Sequence, residues 1–144
     1  ERMAEEFPPV NLAVSLNAPD DELRSRLMPI NRKYPLADLM RALRRYPLGR
    51  RRLTFEYVLL GGVNDSPATA RTLAALLRGL RCKVNLIPFN EHAGSSYKTP
   101  AEETIRAFQS YLLERQIVAI RRASKGQAIS AACGQLKGQL ESKL

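Results

Sequence analysis

The sequence predicts an α/β fold built on a parallel sheet, with the strand spacing of a partial (β/α) barrel. Apolar runs of strand length alternate with segments of helical periodicity, and the strands recur about every 30 to 40 residues. The polar and glycine residues also gather just after the strands, where parallel α/β folds open into ligand-binding loops.

The first strand reads as Val10 to Leu16, a mostly apolar run. Asn17-Ala18-Pro19-Asp20-Asp21 then leads into a charged helix from Glu22 to Met28, with another helix after it. From Leu36, apolar residues recur at Leu39, Met40 and Leu43, the i, i+3, i+4, i+7 spacing of one buried helical face. Leu53 to Leu60 supplies β-branched and aromatic residues over a strand length, and Gly61-Gly62 ends it. Ser66-Pro67 reads as an N-cap with proline at the first helical position, Ala70, Leu73, Ala74 and Leu77 mark the buried face, and Gly79 is the stop. Lys83 to Pro88 is the third strand. Thr99-Pro100-Ala101-Glu102 has capping-box spacing, with Ile105, Phe108 and Leu112 behind it, and Ile117 to Ile120 is the last strand. Four strands against the eight of a closed barrel predict half a barrel, with residues 1–144 as one domain or part of one.

Composition narrows the function classes. A chain of 144 residues with 44% hydrophobic content can bury a core without metal or disulfide staples. The longest uncharged apolar stretches, such as Tyr57 to Val63, fall well short of the roughly 18 to 20 residues of a spanning helix. Glu1-Arg2-Met3-Ala4-Glu5-Glu6 carries acids where a targeting segment needs basic and apolar residues, so the cytoplasm is the expected location. Two cysteines, Cys82 and Cys133, form no C-x-x-C pair, and His92 is the only histidine, which weakens metal-site and Ser-His-Asp readings. The formal net charge is +9. Arg41, Arg44, Arg45, Arg50, Arg51 and Arg52 form one basic group, and Arg115, Arg121, Arg122 and Lys125 a second. Guanidinium forks suit phosphates, although a solvated helix face accounts for such runs equally well, and only Tyr46 and Tyr97 stand near enough to serve as base-stacking platforms.

The candidate ligand end holds Ser15 to Asn17, Gly61 to Asp65, Phe89-Asn90 and Ala123 to Gly126. Taken singly, Gly61-Gly62 is more often a tight turn than an anion cradle, and Asn90 either binds a ligand or caps its own loop. Cys133 lies between small residues that let another group approach, yet a free cysteine is usually a small buried hydrophobe. Cys82, opening a strand, has less claim to chemistry.

Several ordered blocks resemble one family. They are Leu12-Ala-Val-Ser-Leu-Asn-Ala-Pro19 with Asp21-Glu-Leu-Arg24, Met28-Pro-Ile-Asn-Arg-Lys-Tyr-Pro35, Thr54-Phe-Glu-Tyr-Val58 through Gly62-Val-Asn-Asp-Ser-Pro67, Cys82-Lys-Val-Asn-Leu-Ile-Pro-Phe-Asn90, and Ala131-Ala-Cys-Gly-Gln-Leu136. They resemble the C-terminal part of the radical S-adenosylmethionine (SAM) RNA methyltransferases that methylate C2 of adenine in 23S rRNA and in certain tRNAs. The resemblance implies the C-terminal portion of a radical SAM barrel, with SAM and a 4Fe-4S cluster as cofactors, 23S rRNA and tRNA as partners, and a reductant for the cluster. It matches Ser15, Leu16, Asn17 and Asn90 to SAM-contacting positions and Cys133 to the catalytic cysteine that becomes S-methylated. In the family this thiolate takes a methyl group from one SAM. A deoxyadenosyl radical from a second SAM then abstracts hydrogen from that methyl, whose carbon adds to adenine, and another cysteine resolves the adduct.

The family's C-x-x-x-C-x-x-C motif is not in this chain, and two cysteines 51 positions apart cannot supply three cluster thiolates. The chain therefore reads as the C-terminal half of the enzyme, inactive alone. Asn17 stands where many members have His, and Gly126-Gln-Ala-Ile-Ser130 stands where Gly-Asp-Asp-Ile-Asp is common, removing acidic charge before Cys133. The rival readings are the sister activity that methylates C8 of adenine and a non-catalytic basic RNA-binding or assembly module. Unpaired edge strands of a half-barrel also predict self-association.

Overall fold

The computed structural model describes residues 12–123. The elements run β1 (Ala13–Ser15), α1 (Asp21–Leu27), a 3-10 turn (Pro29–Arg32), α2 (Leu36–Arg45), β2 (Leu53–Leu59), α3 (Pro67–Leu76), β3 (Cys82–Pro88), α4 (Glu102–Glu114) and β4 (Val118–Arg121). The strands form one parallel sheet in the order β1-β2-β3-β4. Sequential order without reversal is that of a barrel segment; a doubly wound sheet would change direction at a switch point. Right-handed crossovers in such an order carry every helix to the same side. The α/β half-barrel expected from the sequence is observed.

One core follows from this arrangement. Leu36, Met40 and Leu43 of α2, with Leu73 and Ile105, Phe108 and Leu112 of α3 and α4, pack on Phe55, Tyr57, Val84, Leu86 and Ala119 of the sheet. Tyr57 and Phe108 bring their rings to 5.4 Å between centroids. The opposite sheet face carries Thr54, Glu56, Lys83 and Asn85, all half-buried, and the exposed Ser15. A smaller cluster of Ala18, Leu27, Val58, Leu60 and Phe89 closes the C-terminal ends of the strands. No helix among the described residues is long and apolar enough to cross a membrane.

Local signals explain most boundaries. Asp20 caps α1 by accepting the Leu23 N–H at 2.8 Å, and Ser66 caps α3 by accepting the Thr69 N–H at 3.0 Å ahead of Pro67. Gly79, at φ +82, turns the chain after α3. The capping box expected at Thr99 does not form. Thr99 Oγ1 accepts the Glu91 N–H at 3.0 Å, Glu102 pairs with Arg121, and α4 starts after Ala101 with no side-chain cap. Two tertiary contacts outbid the local motif. Within the described residues the first strand is also shorter than the run Val10 to Leu16, because Asn17 takes φ +60 and leaves the sheet.

Candidate functional site

The C-terminal ends of the strands are joined by amide side chains. After Ser15 the chain turns away at Asn17, which leaves the β1 side of β2 without a neighbouring backbone. Asn17 Oδ1 accepts the Val58 N–H at 2.9 Å in its place. Asn64 continues the substitution: Oδ1 accepts the Leu60 N–H at 2.7 Å, and Nδ2 donates to the carbonyls of Val58 at 2.7 Å and Asn17 at 2.8 Å. Asn64 is completely buried, and its own carbonyl accepts the Tyr57 hydroxyl at 2.9 Å. Two asparagines 47 positions apart thus replace one turn of ladder.

Arg24 holds the same edge from below. Its side chain is 5% exposed, and Nε donates to the Leu16 carbonyl at 3.1 Å, Nη2 to the Ser15 carbonyl at 3.1 Å and Nη1 to Asn31 Oδ1 at 2.8 Å. Burial lowers the pKa of this guanidinium, and the Asp21 carboxylate opposes that shift. Asp21 is held below its ordinary value by the Leu36 N–H first and then by Asn31 Nδ2 at 3.0 Å. Arg24 and Asn31 are not singled out as site residues by the sequence, and Asn64 enters only as part of the Gly61 to Asp65 loop. A charged helix reads as solvated, and the buried geometry depends on contacts from other elements.

The expected SAM contacts divide by what they have left to offer. Leu16 is fully buried, its N–H donates to the Glu56 carbonyl at 2.9 Å, and its carbonyl accepts from Ala18 as well as Arg24. Asn17 Oδ1 is engaged by Val58, and Nδ2 lies 3.6 Å from Met28 Sδ. Ser15 is exposed at the end of β1. Asn90 is exposed after β3 and lines a hollow of about 420 Å³ with Pro88, Arg121, Arg122 and Ala123. Ser15 to Asn17 and Asn90 therefore lie at one end of the sheet, where only Ser15 and Asn90 are exposed, separated by β2 at a spacing of about 10 Å across two strand intervals. Cys133 and the segment Gly126 to Ser130 lie outside the described residues.

The open face adds residues the sequence did not nominate. Ser15, Glu56, Asn85 and Ile120 lie in register across the four strands. Asn85 Oδ1 is shielded from solvent and has no hydrogen-bond partner among the described residues. An acceptor in that state is an opening for a donor. Gly61-Gly62, by contrast, is a turn. The Gly61 N–H donates to the Lys98 carbonyl at 2.8 Å and the Gly62 N–H to Asp65 Oδ1 at 3.0 Å, so neither amide is presented to an anion. Cys82 faces the helices, and burial pushes its thiol up to about 11 despite Arg52 nearby. His92 is exposed, with Nδ1 3.1 Å from the Ala93 carbonyl. Tyr97 meets Phe89 edge-on at 6.0 Å within the small cluster. Among the described residues no three His, Cys, Asp or Glu side chains gather to hold a metal ion.

A scan against models of known protein families finds no match. The chain is 63% identical over 132 residues to the dual-specificity RNA methyltransferase RlmN of Syntrophotalea carbinolica, covering 91% of this chain and 36% of that protein. The protein of the same name from Geobacter sulfurreducens is 60% identical over 133 residues, covering 92% of this chain and 37% of that one. The chain thus spans well under half the length of the curated relatives it matches. Its fold superposes on the crystal structure of a radical SAM methyltransferase from Sphaerobacter thermophilus with a TM-score of 0.83 and 54% identity, covering 93% of this chain and 40% of that one. A domain of pyruvate-formate lyase-activating enzyme from Bacteroides vulgatus, at 18% identity and a TM-score of 0.61, shares the fold.

Proposed function

We infer, on the premise that this chain belongs to the radical SAM RNA methyltransferases as a C-terminal part of that family, that it carries the methyl-carrier cysteine and one side of the SAM site. The proposed activity of the whole enzyme is methylation of C2 of adenine in 23S rRNA and tRNA, with Cys133 as the S-methylcysteine carrier. The observation that supports the SAM assignment is the common strand edge of Ser15, Leu16, Asn17 and Asn90. When bound, SAM supplies an electrophilic methyl group and, at a reduced iron–sulfur cluster, a radical.

The residues present suit SAM and do not suit the cluster. Ser15 offers a hydroxyl, Asn90 an exposed amide, and the unpartnered Asn85 Oδ1 an acceptor matched to an ammonium group. Leu16 and Asn17, whose polar groups are largely spent on the scaffold, set the position of Ser15. Cys82 is buried among the helices, which leaves this chain without three thiolates for a cluster. Cluster ligands, the resolving cysteine and the access of a reductant are therefore assigned to sequence outside these residues, and this chain alone is expected to be inactive. A cytoplasmic setting accompanies this reading. The edges of β1 and β4 are expected to be covered by the remaining barrel strands, or by a second copy in the isolated chain.

The test is Cys133→Ala in the full-length enzyme, assayed by transfer of labelled methyl from SAM to RNA with mass analysis of the product adenosine. Loss of transfer with wild-type thermal stability is expected, and the wild-type product should be the C2 isomer. Methylation retained in the variant would sink the carrier assignment, and a C8 product would move the chain to the sister activity.

A further inference from the structure

The two ends of the sheet differ in charge in a way the linear sequence conceals. Helix C-termini and strand N-termini meet at the end opposite the proposed SAM site, in the segments 44–52, 77–81 and 114–117. These segments hold Arg44, Arg45, Arg50, Arg51, Arg52, Arg78, Arg81 and Arg115, with Glu114 as their single carboxylate. All eight arginines are exposed. The site end is mixed in charge, with Asp20, Asp21, Glu22, Asp65, Glu91, Glu102 and Glu103 set against Arg24, Lys98, Arg121 and Arg122. The second basic group read from the sequence is divided by the fold, with Arg115 before β4 and Arg121 and Arg122 at its far end.

Part of the basic end is built as well as charged. Arg44 donates to the carbonyls of Arg78 at 3.4 Å and Leu76 at 3.3 Å, and Arg81 donates to the Gly49 carbonyl at 3.2 Å. These bonds tie the loop before β2 to the loop before β3. Arg115 lies over the Tyr111 ring at 3.4 Å. A hollow of about 580 Å³ between α3 and α4 is lined by Arg71, Arg78 and Arg115 together with Glu114. Attraction to helix C-termini explains cations at Arg44, Arg45 and Arg115. It does not explain Arg50, Arg51 and Arg52, which lie beyond the last turn of α2 and directly before β2.

Building on the RNA-methyltransferase reading, we propose that this end is a second RNA-contacting face that grips the phosphate backbone away from the reacting adenine. Several exposed guanidinium groups on tied segments suit phosphates at successive positions, and among the described residues of this end no tyrosine ring stands open beside them, so the contact is to backbone and not to base sequence. Of the two tyrosines near this end, Tyr111 is covered by Arg115 and Tyr46 is half-buried with its hydroxyl shielded from solvent. The seven residues of β2 separate the two ends by roughly 20 Å. That distance is small beside a folded tRNA, so one molecule need not be extended to contact both ends.

The test uses the full-length enzyme and a tRNA transcript, measuring affinity from low to moderate salt. Arg45, Arg50, Arg52 and Arg78, whose side chains take no part in the bonds above, are changed together to Ser and, separately, together to Lys. The Ser set is expected to reduce the slope of log affinity against log salt by about 3 and to weaken binding roughly a hundredfold at physiological salt, while the Lys set keeps the slope. A wild-type slope in the Ser set overturns the proposal, as does loss of binding to phosphatidylserine vesicles with RNA affinity unchanged. A wild-type enzyme that methylates RNA while the Ser set binds normally refutes this face alone; a wild type that neither binds nor methylates RNA refutes the functional reading with it.

Discussion

Asn64→Ala is expected to open the joint between β1 and β2 at the strand edge. The substitution removes the acceptor of the Leu60 N–H and the donor to the carbonyls of Val58 and Asn17, bonds of 2.7 to 2.8 Å in a side chain with no solvent exposure. A buried backbone group left without a partner costs about 1–3 kcal/mol, so three such groups give roughly 3–5 kcal/mol once a water entering the vacated space satisfies one of them. A full-length enzyme more than twice the length of this chain moves by less than the about 2–4 °C per kcal/mol of a 150–250-residue domain, so the melting midpoint should fall by roughly 5 °C. Circular dichroism of the full-length enzyme measures the shift, and calorimetric titration with SAM measures the accompanying loss of affinity. Asn64→Asp keeps an acceptor for Leu60 but sets a carboxylate against two carbonyl oxygens, and should be at least as damaging. A midpoint within about 1 °C of wild type would refute the claim that these side chains replace the ladder.

Two further outcomes follow from local geometry. At Gly61 an added Cβ would stand 2.9 Å from the Thr99 carbonyl oxygen and 3.1 Å from that of Lys98, both backbone, so Gly61→Ala should cost about 1–3 kcal/mol; urea denaturation checks it, and unchanged stability refutes the close approach. Because burial raises the Cys82 thiol to about 11 from 9.0, its contribution to stability is intact below about pH 9 and is lost as pH rises through 11. Mass-spectrometric alkylation at pH 8 should modify the Cys82 peptide in the unfolded protein and spare it in the native one, and rapid native labelling would contradict the burial.

Sequence periodicity located the second, third and fourth strands to within a residue because each alternates sides against a helix layer, as the buried Leu53, Phe55 and Tyr57 do. The Ser66-Pro67 start was legible because its bond to Thr69 is local. What escaped was long-range. Thr99-Pro100-Ala101-Glu102 satisfies the capping-box pattern, yet its two side chains are claimed by Glu91 and Arg121, neither of which the four-residue window contains. Arg24 sits on a helix whose composition reads as solvated, and is buried because two carbonyls eight and nine positions earlier turn toward it. The candidate site divides the same way: Ser15 to Asn17 and Asn90 were named through motif resemblance, while the Asn64 joint and the unpartnered Asn85 appear only once strands are in register.

The same distinction bears on how the chain divides labour between its ends. A strand edge can present a ligand only if the chain leaves the sheet there, and leaving exposes backbone groups that must be bonded by something else. Here the replacement is uncharged at Asn17 and Asn64, with a single buried cation, Arg24, beneath it. A second cation close to that edge would repel a sulfonium ligand, and the acids at the helix starts around it favour one. On the proposed reading, the arginines that precede the strands stand at the other end, away from a cationic cofactor and able to attract a polyanion, while Arg121 and Arg122 line the hollow beside Asn90, where Arg121 is paired with Glu102. On that reading, moving Arg50, Arg51 and Arg52 to the strand edge would serve RNA attraction equally well by net charge but would set the nucleic acid and the cofactor in electrostatic competition, which separation by the length of β2 would avoid.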